Sequence, residues 1–258
     1  MESNSCTFCF HKLEYGLVSG HYICGKCKAE FNYGLLCEKQ YKVFSRSHIY
    51  RLLLKEVVSN AECKRVLDVG CGDGELVKLL NGEGVSAYGI DVSLSTILQA
   101  DQQISKYLSV MEIDEVVEEY DTIIYCDVLE HIVNPVDELK SAMSKLSPGG
   151  EIFVYIPVSD SFYYKLIKVA YLVGYRMPFF AYWATNSNYP HQFLPSRKAL
   201  KKSARDLGLD LELIDQSPFS EANLLPNDFG FIDKLSFLFA KIVNSKGSPW
   251  VLSRYTKI

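Results

Sequence analysis

The chain has 258 residues, with 27 Lys+Arg against 31 Asp+Glu, so its formal net charge is −4; 48% of its residues are apolar and 22% are charged. That composition excludes a mainly disordered chain, and the length lets about three quarters of the unfolded surface be buried in one core without staples. A mildly acidic chain also argues against a general DNA or RNA binder, because phosphate contacts need a basic surface.

The start, Met1 to Cys6, has no basic n-region and no apolar h-region, so no signal peptide is expected. Of the eight cysteines, four fall in the first 27 residues, as Cys6-x-x-Cys9, fourteen residues, then Cys24-Gly25-Lys26-Cys27. Each C-x-x-C turn can offer two thiolates to one tetrahedral ion, the pattern of a zinc ribbon over residues 1–40. Gly16 and Gly20 allow a hairpin between the pairs. A module of about 40 residues has too little core to fold alone, so structural Zn2+ would supply the missing stability. A redox use needs a C-x-x-C at a helix start after a strand, which two such pairs fit poorly. His11, His21 and Cys37 are spare potential ligands, read as bystanders.

Residues 41–62 predict a helical connector, with Ile49, Leu52, Leu53 and Val57 at helical spacing. From Lys64 the rhythm changes. Lys64 to Gly70 predicts a buried strand, Glu75 to Leu80 a helix, Ser86 to Asp91 a strand, and Ser93 to Gln103 a Ser-capped helix. Lys106 to Val110 predicts a third strand, Glu112 to Glu119 a short acidic helix, and Asp121 to Cys126 a fourth strand. Pro135 to Leu146 reads as a helix with Pro at its first position, Pro148-Gly149-Gly150 as a turn, and Glu151 to Ile156 as a fifth strand. Helix 196–207 and strands 209–214 and 250–255 complete the series. Strands alternating with helices predict an α/β fold, a parallel sheet covered on both faces.

The sharpest constellation is Leu67-Asp68-Val69-Gly70-Cys71-Gly72-Asp73-Gly74-Glu75, a strand running through three alternate glycines into a helix. Glycines let the backbone turn tightly and approach a ligand closely. Asp91 ends the next strand, where a carboxylate can accept both ribose hydroxyls of a nucleoside. A dinucleotide would put its pyrophosphate on the helix N-terminus, but here Asp73 and Glu75 would repel phosphate, and Glu75 stands where the third glycine of G-x-G-x-x-G belongs. An acidic glycine loop suits a phosphate-free cofactor with a cationic end, as in S-adenosyl-L-methionine.

Four blocks then stand in order over residues 64–157: the glycine loop, Gly89-Ile90-Asp91-Val92-Ser93, Asp127-Val128-Leu129-Glu130-His131-Ile132-Val133-Asn134-Pro135, and Leu146-Ser147-Pro148-Gly149-Gly150. On these blocks the sequence resembles the class I S-adenosylmethionine-dependent methyltransferases, most closely the branch with the ubiquinone-biosynthesis O-methyltransferases and the methyltransferases of bacterial sugar and glycan gene clusters. Some of the glycan-cluster enzymes also begin with a small zinc module. The resemblance implies a Rossmann-like seven-stranded sheet with its last strand antiparallel, over residues 63–258, and a substrate lid inserted at 158–195. It implies that Asp68, Gly70, Cys71, Gly72 and Gly74 hold the methionine end, that Asp91 and Val92 hold the ribose, and that Asp127 lines the cofactor. Leu108 to Glu112 lacks the Gly-Asp pair that usually helps hold adenine in this family.

Asp127-x-x-Glu130-His131 follows the fourth strand, at the sheet edge where α/β ligands bind. Three readings stand beside each other. His131 can take a proton from an acceptor hydroxyl near neutral pH. The resemblance implies a divalent cation, Mg2+, on Asp127, Glu130 and His131. Otherwise Glu130 and His131 cap the helix and hold the cofactor edge. His191, in Tyr189-Pro190-His191-Gln192-Phe193, is a second base candidate or a loop histidine satisfied by backbone.

The lid carries Phe162, Tyr163, Tyr164, Tyr171, Tyr175, Phe179, Phe180, Tyr182 and Trp183, read either as a substrate cover or as an aromatic core. Lys165, Lys168 and Arg176 are placed to bind a substrate phosphate or simply to face solvent. They also interrupt the most apolar stretch, so no membrane span is expected, and the chain reads as cytoplasmic. The expected reaction is methylation of a small-molecule hydroxyl, on a sugar, nucleotide-sugar or glycan precursor. A zinc-ribbon RNA methyltransferase and an inactive cofactor-binding scaffold are the rivals.

Overall fold

A computed structural model describes residues 5–35, 47–60, 65–185, 189–214 and 250–257. Cys37 and Cys63, Lys64, and part of the expected connector and lid lie outside the described residues. Three short strands come first: β1 (Leu13–Tyr15), β2 (His21–Cys24) and β3 (Glu30–Asn32). Helix α1 (Ser47–Ser59) follows and buries Ile49, Tyr50, Leu53 and Val57, one face at three- and four-residue spacing.

The main sheet starts with β4 (Arg65–Val69), α2 (Glu75–Gly82), β5 (Ser86–Asp91), α3 (Leu94–Ile97) and β6 (Leu108–Val110). It continues with β7 (Tyr120–Cys126), α4 (Pro135–Ser144) and β8 (Leu146–Pro157). The insertion carries α5 (Phe162–Leu172), α6 (Met177–Tyr182) and β9 (Phe193–Leu194). Helix α7 (Arg197–Asp206), β10 (Leu209–Ile214) and β11 (Trp250–Lys257) close the series. The seven strands lie in the order β10-β11-β8-β7-β4-β5-β6, with β11 antiparallel to both neighbours and β4 to β8 parallel. This is the predicted Rossmann-like sheet. Strands β4 and β7 are buried almost throughout, as a sheet covered on both faces requires. The order reverses between β4 and β7, so the crevice beyond their carboxyl ends is the switch point where such sheets bind ligands.

Three expected elements differ. The helix expected over 93–103 is a four-residue α3 that buries none of its residues. Without an apolar face a short helix has nothing to stabilise it, and the Asp101 carboxylate takes the Gln103 amide instead. The acidic helix expected over 112–119 is a single 3-10 turn, Ile113–Glu115. Glu112, Asp114, Glu115, Glu118 and Glu119 would repel one another on a helix. Pro148-Gly149-Gly150 lies within β8 rather than before it. Pairing with β7 jumps from Tyr120 and Leu146 to Thr122 and Glu151, and the jump takes up the extra residues.

The second sheet is not confined to the N-terminal cysteine ribbon. Its order is β1-β2-β3-β9, and β3 pairs antiparallel with β9 from the insertion (Glu30 opposite Leu194, Phe31 opposite Phe193). Phe8, Phe31 and Phe193 pack together at that seam. The insertion aromatics Tyr164, Phe179, Tyr182 and Trp183 are buried with Leu35 and Leu194, so these four form a core between ribbon and insertion rather than an open wall.

Candidate active site

The glycine loop leaves β4 at the switch point. Gly70, Gly72 and Gly74 all take positive φ (69°, 60° and 80°), the left-handed region that favours glycine. The three differ in what surrounds them. A Cβ on Gly70 would meet Val128 Cγ2 at 2.5 Å, whereas one on Gly72 would meet only Thr96 Cγ2 at 3.8 Å. Gly72 therefore borders open space, which a ligand can fill. Asp91, at the end of β5, accepts the Gly72 amide on Oδ2 at 3.0 Å and the Ser93 amide on Oδ1 at 2.8 Å. Each oxygen keeps a second lone pair for a ribose hydroxyl. Asp68 is buried at the strand end. Val92 is 63% exposed, which leaves its backbone and side chain open to a nucleoside. Cys71 points elsewhere: its sulfur lies where a Cβ on Gly89 would go, and burial pushes its thiol up, with Asp68 adding to the shift.

Gly72→Ala tests this cradle with little disturbance to the fold. Its added strain is about 1 kcal/mol, and the new methyl enters the open space. The expected result in calorimetry is a folded protein whose S-adenosylmethionine affinity is down at least about tenfold; wild-type affinity would remove Gly72 from the site.

Asp127 follows β7 with φ +54°, an uncommon backbone for a non-glycine residue. Its Oδ1 accepts the Trp250 indole N–H at 3.1 Å, a contact across 123 positions that no local pattern announces. Beyond it, Leu129–His131 forms a 3-10 turn with Glu130 buried. His191 arrives from the insertion. Its Nε2 is 3.9 Å from Glu130 Oε1, and its ring meets the His131 ring edge-on at 4.9 Å between centroids. Burial, then the adjacent His131, pushes the His191 pKa down to about 3, so its ring is neutral at neutral pH. One ligand atom from each of Glu130, His131 and His191 lies within 4.8 Å of the others, and Asp127 is not in that set. The group that joins Glu130 and His131 within that distance is His191, which makes a set of two imidazoles and one carboxylate. That donor set suits a transition metal better than Mg2+, which prefers oxygen ligands.

The ribbon brings Cys6, Cys9, Cys24 and Cys27 together, with all four sulfurs within 4.8 Å of one another. The closest pairs are Cys6–Cys27 at 3.5 Å and Cys9–Cys24 at 3.4 Å, far longer than a disulfide. Within the coupled Cys6–Cys27 pair the hydrogen bond between the sulfurs lowers the Cys27 thiol and raises that of Cys6, so Cys27 is the one that ionises first, and a thiolate is the metal-binding form. Four converging sulfurs in a buried cluster fit a tetrahedral Zn2+. His21 is not a fifth ligand, since its Nε2 bonds Glu30 at 2.7 Å. Of the lid cations, Lys168 is also taken by Glu30 (2.7 Å), while Lys165 and Arg176 are exposed.

The ribbon and the sheet edge at Glu130 and His191 are joined by residues that no local pattern singles out. The Asn32 side chain donates to His191 O at 3.0 Å, and its backbone amide donates to Gln192 O at 2.8 Å. The Gln192 amide in turn donates to Glu130 O at 2.7 Å. The nearest signal in the sequence is the polar Asn32 inside an aromatic run, which does not identify its partner 159 positions away.

Comparison with known proteins identifies the family and the fold. The methyltransferase domain family matches residues 39–214. The ubiquinone biosynthesis O-methyltransferase of Citrobacter koseri is 31% identical over 99 residues, 35% of this chain and 41% of that protein. The protein of the same name from Escherichia fergusonii is 29% identical over 126 residues, 45% of this chain and 52% of that one. The chain thus spans about half the length of the curated relatives it matches. Among solved structures, a SAM-dependent methyltransferase from Archaeoglobus fulgidus aligns with a TM-score of 0.55 at 19% identity, covering 83% of this chain and 95% of its own. A chain from the complex between the Haloferax volcanii Trm112 methyltransferase activator and a methyltransferase aligns with a TM-score of 0.58 at 14% identity, over 81% and 90% of the two chains. Magnesium protoporphyrin IX methyltransferase from Synechocystis, solved with bound S-adenosylhomocysteine, aligns with a TM-score of 0.55 at 12% identity, over 86% and 90%. No described helix is long and apolar enough to cross a membrane.

Proposed function

The chain belongs to the methyltransferase domain family, and from that premise we propose that it transfers a methyl group from S-adenosyl-L-methionine to a hydroxyl of a small molecule, a sugar, nucleotide-sugar or other glycan precursor. The observation that carries the cofactor is the Asp91 carboxylate bound to the Gly72 amide, beside a loop glycine that opens on free space. Bound there, the cofactor supplies an electrophilic methyl on a sulfonium. Asp68 and the backbone of residues 70–74 hold the cationic methionine end, Asp91 and Val92 hold the ribose, and Asp127 bounds the pocket.

At the acceptor side, His131 takes the hydroxyl proton as the methyl is transferred. Glu130 and His191 flank it. His191, its pKa pushed down to about 3 by burial, is a weak proton acceptor, so it orients and excludes water rather than removing the proton. The ribbon binds one structural Zn2+ on Cys6, Cys9, Cys24 and Cys27 and takes no part in the chemistry.

The test is incubation with methyl-labelled S-adenosylmethionine and a cell extract, followed by size separation. The expected result is enzyme-dependent label in the small-molecule fraction. Label that stays with macromolecules and is released by nuclease would move the assignment to RNA, and tight cofactor binding without turnover would favour a scaffold.

A further inference from the structure

The cysteine ribbon has no role in the reaction as written, yet its strand β3 is built into the segment that delivers His191. The connection runs through named bonds. Around the fourth cysteine, Cys27 O accepts the Ser196 hydroxyl, Lys28 O accepts the Ser159 hydroxyl at 2.7 Å, and Lys26 O accepts Lys198 Nζ at 2.9 Å. Three residues further, β3 pairs with β9. At its end Asn32, 5% exposed, makes four hydrogen bonds. Its Oδ1 takes the amides of Gly34 (3.1 Å) and Leu35 (2.7 Å), its Nδ2 donates to His191 O, and its own amide donates to Gln192 O. Gln192 then holds the backbone of Glu130. His191 and Gln192 sit in a segment with almost no regular structure of its own: β9 has two residues, and its partner is the ribbon.

We propose that the four-cysteine metal site anchors the catalytic edge, and that Asn32 is the positioning residue that passes its order to His191 and Glu130. The physical reason is the size of the ribbon. Three strands of three or four residues do not hold a fixed geometry alone. A metal that ties their ends together gives β3 a fixed place, and β3 is what β9 and the two backbone carbonyls of 191–192 are bonded to. Among the described contacts no hydrogen bond joins the glycine loop or Asp91 to the ribbon; the ribbon cysteines share only an apolar core with Val69 and Ile90, so cofactor binding is expected to survive loss of the metal. The catalytic meaning rests on the reading of His131 and His191 above, but the positioning itself does not.

The test uses the full chain. Hydrogen exchange read by mass spectrometry compares zinc-loaded protein with protein stripped by a mercurial thiol reagent and chelator. Two peptides decide: one over 189–196 and one over 66–75. On zinc loss the first is expected to exchange at least about tenfold faster, with the second unchanged and S-adenosylmethionine affinity by calorimetry unchanged. Equal protection at 189–196 with and without zinc overturns the proposal. So does faster exchange in both peptides, because the metal would then stabilise the whole fold rather than position one edge.

Asn32→Asp separates the strap from the metal. The aspartate still accepts the Gly34 and Leu35 amides but offers no donor to His191 O. Expected are one zinc per chain, fast exchange at 189–196, and a shift of the His191 imidazole resonances with those of exposed His11 unmoved. Unmoved His191 resonances in a zinc-loaded Asn32→Asp protein overturn the role of Asn32. A chain that shows the exchange pattern but transfers no methyl group would refute the catalytic reading and leave the positioning standing.

Discussion

Replacing Glu30 with alanine is expected to lower the stability of the chain by about 3–5 kcal/mol, because it removes the acceptor at the centre of a buried polar cluster. Glu30 is 2% exposed and takes His21 Nε2–H at 2.7 Å, Tyr164 O–H at 2.8 Å and Lys168 Nζ at 2.7 Å. The Leu17 amide donates to His21 Nδ1, which fixes the ring hydrogen on Nε2, toward Glu30. Tyr164 O–H is itself the acceptor of Trp183 Nε1–H at 3.0 Å. Alanine leaves two donors in a dry core and a lysine without its counter-charge, and each stranded group costs about 1–3 kcal/mol. Glutamine keeps an acceptor and loses only the charge, so Glu30→Gln should cost about half as much or less. Thermal or urea unfolding of the two variants beside the wild type measures the difference. Equal stability of Glu30→Ala and wild type would show that the ribbon and the insertion are not joined through this cluster.

The same cluster sets a pH dependence. Burial alone would push the Glu30 carboxyl up, but the His21 hydrogen bond and the Lys168 charge outweigh it and hold the carboxyl below its ordinary 4.5. A carboxylate whose folded pKa is depressed contributes stability that is complete above the unfolded value and is lost as pH falls through the folded one. The wild type should therefore lose this contribution below about pH 4.5, and Glu30→Ala should lack that component of the acid transition.

The second large effect is on the cofactor. Asp91→Ala is expected to weaken S-adenosylmethionine binding by about 100- to 1,000-fold, the loss of two hydrogen bonds to a charged acceptor. The carboxylate acts twice. It fixes the Gly72 and Ser93 amides, which shape the loop, and it offers its remaining lone pairs to the ribose. Asp91→Asn keeps one good acceptor oxygen, so its loss should be closer to about tenfold. Calorimetry on folded variants separates the cases. Equal binding by wild type and Asp91→Ala would remove the ribose assignment and with it the strongest support for the cofactor site.

Much of this molecule is readable from local pattern. A buried strand, three alternate glycines and a helix follow from residues 65–80, and positive φ at Gly70, Gly72 and Gly74 is what those glycines are for. Acidic residues in that loop discriminate against phosphate by charge alone. The cysteine spacing announces four converging thiols because each C-x-x-C turn is a local device, and the cluster forms as read. Local pattern fails where packing decides. The short α3 and the single turn at 113–115 stand where apolar spacing was too thin to hold a helix against competing side chains and charge repulsion.

What the sequence determined by itself is therefore the set of elements whose cause lies within a few residues: the parallel strands, the glycine loop, the thiol pairs and the acid at the end of β5. What only the tertiary structure decided is which distant groups meet. His191 joins Glu130 and His131 across some sixty positions, Asp127 is held by Trp250, and Asn32 bonds the carbonyls of residues 191 and 192. The aromatic insertion is largely a core because its rings meet the ribbon's buried Glu30 and His21. Hydrogen bonds and ring contacts act over a few ångströms in space and carry no trace in chain spacing, so only the folded chain reveals them.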